Sequence, residues 1–136
     1  MGRFDETARH GGGFMNVESF WKDILEQNRD TLAGYFCPGA AIRWHCTNEQ
    51  FTVSEFVRAN CDYPGEWDGK IERVEEYGPH IVTVVNVIPK DRFASFHVVS
   101  FMALKEDRIL TLDEYWADDG EAPAWRKSMG IGTPIR

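Results

Sequence analysis

Residues 96–117 read FHVVSFMALKEDRILTLDEYWA. Two runs rich in β-branched and aromatic residues flank the polar pair Glu106 and Asp107. That pattern predicts two antiparallel strands, over 93–105 and 108–117, joined by a tight turn. Upstream, 81–88 and 69–77 have the same character, with turn signals at Gly78 and Pro79 and again at Pro89, Lys90 and Asp91. The second half of the chain is therefore expected to be a four-stranded antiparallel meander.

The first half reads differently. A helix is expected over 17–35, with Phe20, Ile24 and Leu32 near one stripe and Trp21, Leu25 and Tyr35 widening it. Asn16 suits its cap, and Glu18 suits the positive end of the helix dipole. Cys37, Pro38 and Gly39 are expected to end that region. A short strand follows over 41–47, around Ile42 and Trp44. A second helix opens at Thr52 or Ser54, runs to about Cys61, and stops at Asp62, Tyr63, Pro64 and Gly65. The tail, 118–136, is rich in Gly and Pro and is expected to pack through Trp125 and Ile131 without forming a regular element. Residues 1–13, ending in three glycines, read as a flexible lead; 14–136 read as one domain. Helices first and a meander second make an α+β fold with helices on one sheet face.

Strand alternation assigns the faces. Phe96, Val98, Ser100 and Met102 share one face of their strand, and His97, Val99, Phe101 and Ala103 the other. Ile81, Thr83, Val85 and Val87 likewise oppose Val82, Val84, Asn86 and Ile88. Neither face is plainly polar, whereas a solvated antiparallel sheet shows one polar face. The outer face is thus expected to be covered, by the tail or by a second copy, and the pattern favours a homodimer. His45 and His97 fall on that outer face.

Composition sets limits. The chain has 136 residues, a net charge of −7, 43% hydrophobic and 27% charged residues, which is globular and not disordered. The acidic balance argues against a general nucleic-acid binder. No apolar run approaches the roughly 20 residues that span a bilayer, so no membrane partner is expected. Cys37, Cys46 and Cys61 are an odd number without CxxC spacing, which fits a reducing cytoplasm. The four histidines form no metal-ligand spacing and HExxH is absent, so no metal is expected. The Gly-rich stretches at 11–13 and 130–132 lack the strand-before-helix context of a phosphate loop, so no nucleotide and no other cofactor is expected, and the absence of GxSxG removes the usual serine-hydrolase elbow. The unusual feature is aromatic content: 9 Phe, 5 Trp and 4 Tyr. Such rings build a core or line a pocket for an apolar ligand.

The element order, with IRWHCTNEQFTVSEF, ANCDYPGEW, SFHVVSF and DRILTLDEYWADDGEAPAWR, resembles the nuclear transport factor 2-like superfamily over about residues 14 to 130. Within it, the chain is similar to the small bacterial SnoaL-like branch. The resemblance implies a cone: a curved, mostly antiparallel sheet wrapped around N-terminal helices, with an internal cavity. It also tests activities. Where ketosteroid isomerases present an aspartate base, this sequence has Trp44, and an indole only donates. For the Asp–Arg–Asp set of limonene epoxide hydrolases, the matching positions hold Thr83, Ile81 and Glu114. Those two activities are therefore not expected.

The same match makes the face of Leu112, Glu114 and Trp116 the cavity side. Glu114 is the expected acid/base group, since a carboxylate among Trp44, Trp116, Phe96 and Val98 would be desolvated. A structural ion pair with Arg58 or Arg73 is the competing role. Trp44, Trp116 and Phe96 are expected to line the pocket, with Trp67 and Tyr63 at its mouth. Thr83, Ser100, Cys46 and Val98 lie on inward faces, and Asn60 either reaches the cavity or caps the turn after it. The expected function is binding of a small apolar or aromatic molecule, with scope for cyclisation, isomerisation or dehydration. A non-catalytic dimeric module with a self-filled cavity is the alternative.

Overall fold

The computed structural model describes residues 15–136, so the 1–13 lead lies outside the described residues. The first helix, α1 (Val17–Leu25), is capped by Asn16, whose side chain accepts from the Ser19 N–H at 2.9 Å. It ends ten residues earlier than the periodicity predicts. Gln27 takes a left-handed φ of 57°, and the chain restarts as a single turn, α2 (Arg29–Leu32), followed by a 3-10 turn at Ala33–Tyr35. The Asp23 carboxylate holds this break together. It accepts from Asn28 Nδ2 and from the Tyr35 hydroxyl, each at 2.7 Å. Side-chain bonds of this kind compete with helix continuation, and periodicity alone does not register them.

Strand β1 (Phe36–Trp44) begins earlier than expected and runs through Pro38 and Gly39. Gly39 has a φ of 79°, and the register against the neighbouring strand shifts between Phe36 and Ala41. The breaker residues thus make an irregularity inside a strand instead of ending the region. A 3-10 turn at His45–Thr47 and a left-handed Asn48 then fold the chain into β2 (Glu49–Phe51), a strand the sequence reading did not foresee.

Helix α3 (Val53–Cys61) opens with a full capping box: the Thr52 hydroxyl accepts from the Glu55 N–H, and Glu55 Oε1 accepts from the Thr52 N–H. Thr52→Ala removes one half of that pair. It is expected to lower stability by about 1 kcal/mol in a urea titration, while Thr52→Ser is expected to stay near wild type.

The remaining strands are β3 (Trp67–Tyr77), β4 (His80–Pro89), β5 (Phe96–Lys105) and β6 (Arg108–Asp118), close to the expected meander. The six-stranded order is β2-β1-β6-β5-β4-β3, antiparallel except for the parallel β1–β6 pair. Register shifts between Ile71 and Arg73 and between Ala103 and Leu104 interrupt the ladders. Such irregularities increase local twist, and the sheet curves without closing into a barrel.

The concave face carries the core. Phe20, Trp21 and Ile24 of α1 and Phe56 and Val57 of α3 bury against Ile42, Ile81, Val85, Val98, Met102 and Leu112. Gly69 lets α1 close on β3, because a Cβ there would sit 2.7 Å from Leu25 Cδ1 and 3.0 Å from the Asn86 carbonyl oxygen. On the convex face Val82, Val84 and Val99 are half-buried, while Phe101 is 43% and Tyr115 44% exposed. The tail corrects the expectation for it. Residues Ala124–Lys127 form a short helix, α4, and Trp125 and Ile131 are exposed instead of packed. The core is closed by α1 and α3 and, among the described residues, takes in none beyond Trp116.

Candidate functional site

A cavity of about 360 Å³ opens at one end of the cone, where α1 and α3 part from the sheet. Each wall arrives from a different element. Ile24 and Leu25 come from the end of α1, Ala59 and Asn60 from α3, Trp44 from the end of β1, and Trp67 from the start of β3. Val87, Phe96, Trp116 and Asp118 come from the adjoining ends of β4, β5 and β6. The turn residues Cys46 and Thr47, with Gln27 and Tyr63, complete it.

The rings brace one another. Trp67 contacts Tyr63 edge-on at 5.4 Å and Phe96 at 6.1 Å between centroids. Trp44 packs edge-on against Phe51 at 4.8 Å and Phe56 at 6.2 Å. Edge-to-face packing adds to area burial and fixes ring orientation. Thus the indoles are held as walls.

Polar groups are placed with similar economy. Gln27 Nε2 donates to the carbonyls of Asn60 at 2.9 Å and Tyr63 at 2.8 Å. Asn60 Nδ2 donates to the Ile24 carbonyl at 3.0 Å. These bonds tie the end of α1 to the end of α3 and to the turn after it. Gln27 escaped the sequence reading because its role follows from the left-handed kink, which gives no periodic signal. Asp118 was missed as well: the strand was expected to end at 117, whereas β6 runs one residue further and places Asp118 opposite Phe96, in phase with inward Glu114 and Trp116.

Of the expected ligand contacts, Trp44, Cys46, Asn60, Tyr63, Trp67, Phe96 and Trp116 line the cavity. Thr83, Val98 and Ser100 do not; they lie fully buried in the sheet beneath it. Thr83 Oγ1 accepts from Trp21 Nε1 at 3.2 Å. Glu114 is also outside the wall. Only 3% exposed, it accepts from Ser100 Oγ at 2.6 Å and from Trp44 Nε1 at 3.0 Å. No ion pair with Arg58 or Arg73 forms; Arg73 instead bonds Glu75 at 2.9 Å.

Burial pushes the Glu114 carboxyl up to about 6, and the hydrogen bonds from Ser100 and Trp44 hold it from going higher. The Trp116 indole also favours the carboxylate, yet its N–H is buried and meets hydrogen-bond geometry with no described group. Both histidines of interest lie on the convex side. His45 stacks on Tyr115 at 4.5 Å and bonds Asp113 at 2.7 Å, while His97 lies between Asp119 at 2.5 Å and Glu72 at 3.0 Å. Among the described residues no group of three or more His, Cys, Asp or Glu is placed to hold a metal ion, and no helix is long and apolar enough to cross a membrane.

No protein-family model matches the sequence, and no curated protein does. Solved structures do. A candidate ketosteroid isomerase from Kribbella flavida superposes with a TM-score of 0.73 at 19% identity, covering 88% of this chain and 87% of that one. An NTF-2 like protein of unknown function from Burkholderia xenovorans gives 0.71 at 17%, covering 87% and 91%. A candidate SnoaL-like polyketide cyclase from Shewanella putrefaciens gives 0.63 at 15%, covering 74% and 85%. The cone of curved sheet and N-terminal helices is the fold those proteins share, and the chain has the nuclear transport factor 2-like fold.

Proposed function

We propose that this chain is a SnoaL-like protein that binds a small, largely apolar molecule in the cavity at the end of the cone. The observation that carries the reading is the wall itself: three indoles, a phenyl and a phenol converge on one partly open space, with amide groups of Asn60 and Gln27 beside them. Ligand pockets have this make-up, mostly apolar with a few placed polar groups. A self-filled module would leave no such space between Trp44, Phe96 and Trp116.

The neutral fluorescent probe N-phenyl-1-naphthylamine tests the reading. It is expected to bind one per chain with a rise in emission. Ala59→Trp, which fills the cavity from α3, is expected to weaken that binding about tenfold or more while leaving the melting temperature within a few degrees (the loss of one good apolar site,). Probe binding that ignores Ala59→Trp would move the site elsewhere. Native mass spectrometry of the purified protein would identify a retained natural ligand.

Acid/base chemistry is a second layer, favoured by one observation: a carboxyl near 6 is matched to proton transfer close to neutral pH. Glu114 stands behind Trp44 and Trp116, so this chemistry requires an indole to move aside. Homodimerisation through the convex face belongs to the same proposal, since Phe101 and Tyr115 meet edge-on at 6.0 Å on an otherwise half-apolar sheet surface. Sedimentation at micromolar concentration is expected to give a dimer, and Tyr115→Glu to give monomer; a wild-type monomer refutes it.

A further inference from the structure

We infer that the cavity favours an organic cation, a protonated or quaternary amine carrying an apolar body, over a neutral molecule of the same shape and over an anion; this rests on the cavity being a binding site at all. Charge on the wall is one-sided. Among the described residues no Lys, Arg or His lines the cavity, while Asp118 does. Asp118 has no ion-pair partner among the described residues, although the neighbouring Asp119 engages Ser95 and His97. An unpaired carboxylate on the rim of an aromatic box attracts a cation and repels an anion.

Behind the wall lies a second carboxylate. Among the described residues Glu114 is bonded only to neutral donors, Ser100 and Trp44, and no cation pairs with it. Its effect reaches the cavity through Trp44. The indole N–H points to the carboxylate, so the polarised hydrogen bond pushes electron density into the ring that forms the wall. The face of an electron-rich indole is the strongest aromatic partner for a cation. Trp67, Trp116, Tyr63 and Phe96 supply further faces and edges in the same space. An aromatic enclosure with acidic groups and no basic ones is the chemistry by which substituted ammonium groups are recognised. A neutral ligand would gain the apolar contacts but nothing from either carboxylate.

The test compares benzyltrimethylammonium with its neutral carbon isostere, neopentylbenzene, by quenching of tryptophan fluorescence in low-salt buffer. The cation is expected to bind about tenfold more tightly, the factor set by a desolvated cation–π contact. Added salt is expected to weaken the cation and spare the isostere. Asp118→Asn is expected to lower the ratio of cation to isostere affinity about threefold, as loss of one partly exposed charge should. Equal or tighter binding of the isostere overturns the cation assignment and leaves the apolar pocket standing. Binding of neither compound, with N-phenyl-1-naphthylamine still bound, also overturns it. If all three fail to bind, the pocket reading falls too.

Discussion

Glu114→Gln is expected to make the protein more stable at neutral and alkaline pH. The carboxyl ordinarily releases its proton near 4.5, and in the fold it does so only near 6. Between those values the folded state holds a proton that the unfolded chain has lost, so stability falls as pH rises through that window. Above it the whole penalty is present, about 2 kcal/mol for a shift of this size. A glutamine has the shape of the protonated acid. Its carbonyl oxygen can accept from Trp44 Nε1, and its amide can donate to Ser100 Oγ, the two partners Glu114 already has. The variant is therefore expected to melt roughly 5 °C above wild type at about pH 8 and to converge with it below about pH 4.5.

The difference between the two proteins is the readout, because carboxylates held low, such as Asp119 and Asp23, act equally in both. A variant less stable than wild type at alkaline pH would show that the ionised carboxylate is favoured by the fold and that the burial argument is wrong. The same variant separates chemistry from architecture. If Glu114 carries a proton to a bound molecule, turnover disappears while stability rises, the trade expected when a site keeps a destabilising group for function.

Trp21→Ala is the most damaging substitution expected. The ring is 1% exposed, lies at the centre of α1, and packs edge-on against Phe20 at 5.7 Å. Its N–H also satisfies Thr83, so the truncation opens a large cavity and removes a buried hydrogen bond together. Losses of this kind cost about 3–5 kcal/mol, a large share of the stability of an ordinary domain. A matching fall in the urea midpoint with an unchanged slope is the expected result. Trp21→Phe keeps much of the packing and is expected to lose about half as much. Were Trp21→Ala to cost under about 1 kcal/mol, α1 would not be the element that closes the concave face.

How far the sequence carried these conclusions differs from one element to the next. The meander was legible because β4, β5 and β6 repeat a two-residue alternation between unambiguous turns. Inward Val98, Ser100 and Met102 are all buried, and outward Phe101 is not, as that alternation requires. The start of α3 was legible to within two residues, Thr52 or Ser54, because caps are local signals; the structure settles it on Thr52, whose capping box with Glu55 closes within one helical turn. By contrast, the break after α1 and the passage of β1 through Pro38 and Gly39 alongside β6 depend on bonds between distant residues. Asp23 with Tyr35, and Gln27 with Asn60 and Tyr63, are joined only once the chain has folded.

The site divides along the same line. Sequence alone determined the inward side of each strand and so named most of the rings around the cavity, because side-chain direction in a strand follows position. Depth was decided by the tertiary structure. Glu114, Ser100, Val98 and Thr83 point inward as alternation demands, but the sheet curves and α1 covers that part of its face. They end beneath the cavity, while Asp118, at the last ladder position of β6, and Gln27, in the left-handed kink after α1, reach its wall. Curvature and helix placement sum over many contacts across the whole chain, so no local stretch of residues encodes which inward group stays in reach of a ligand.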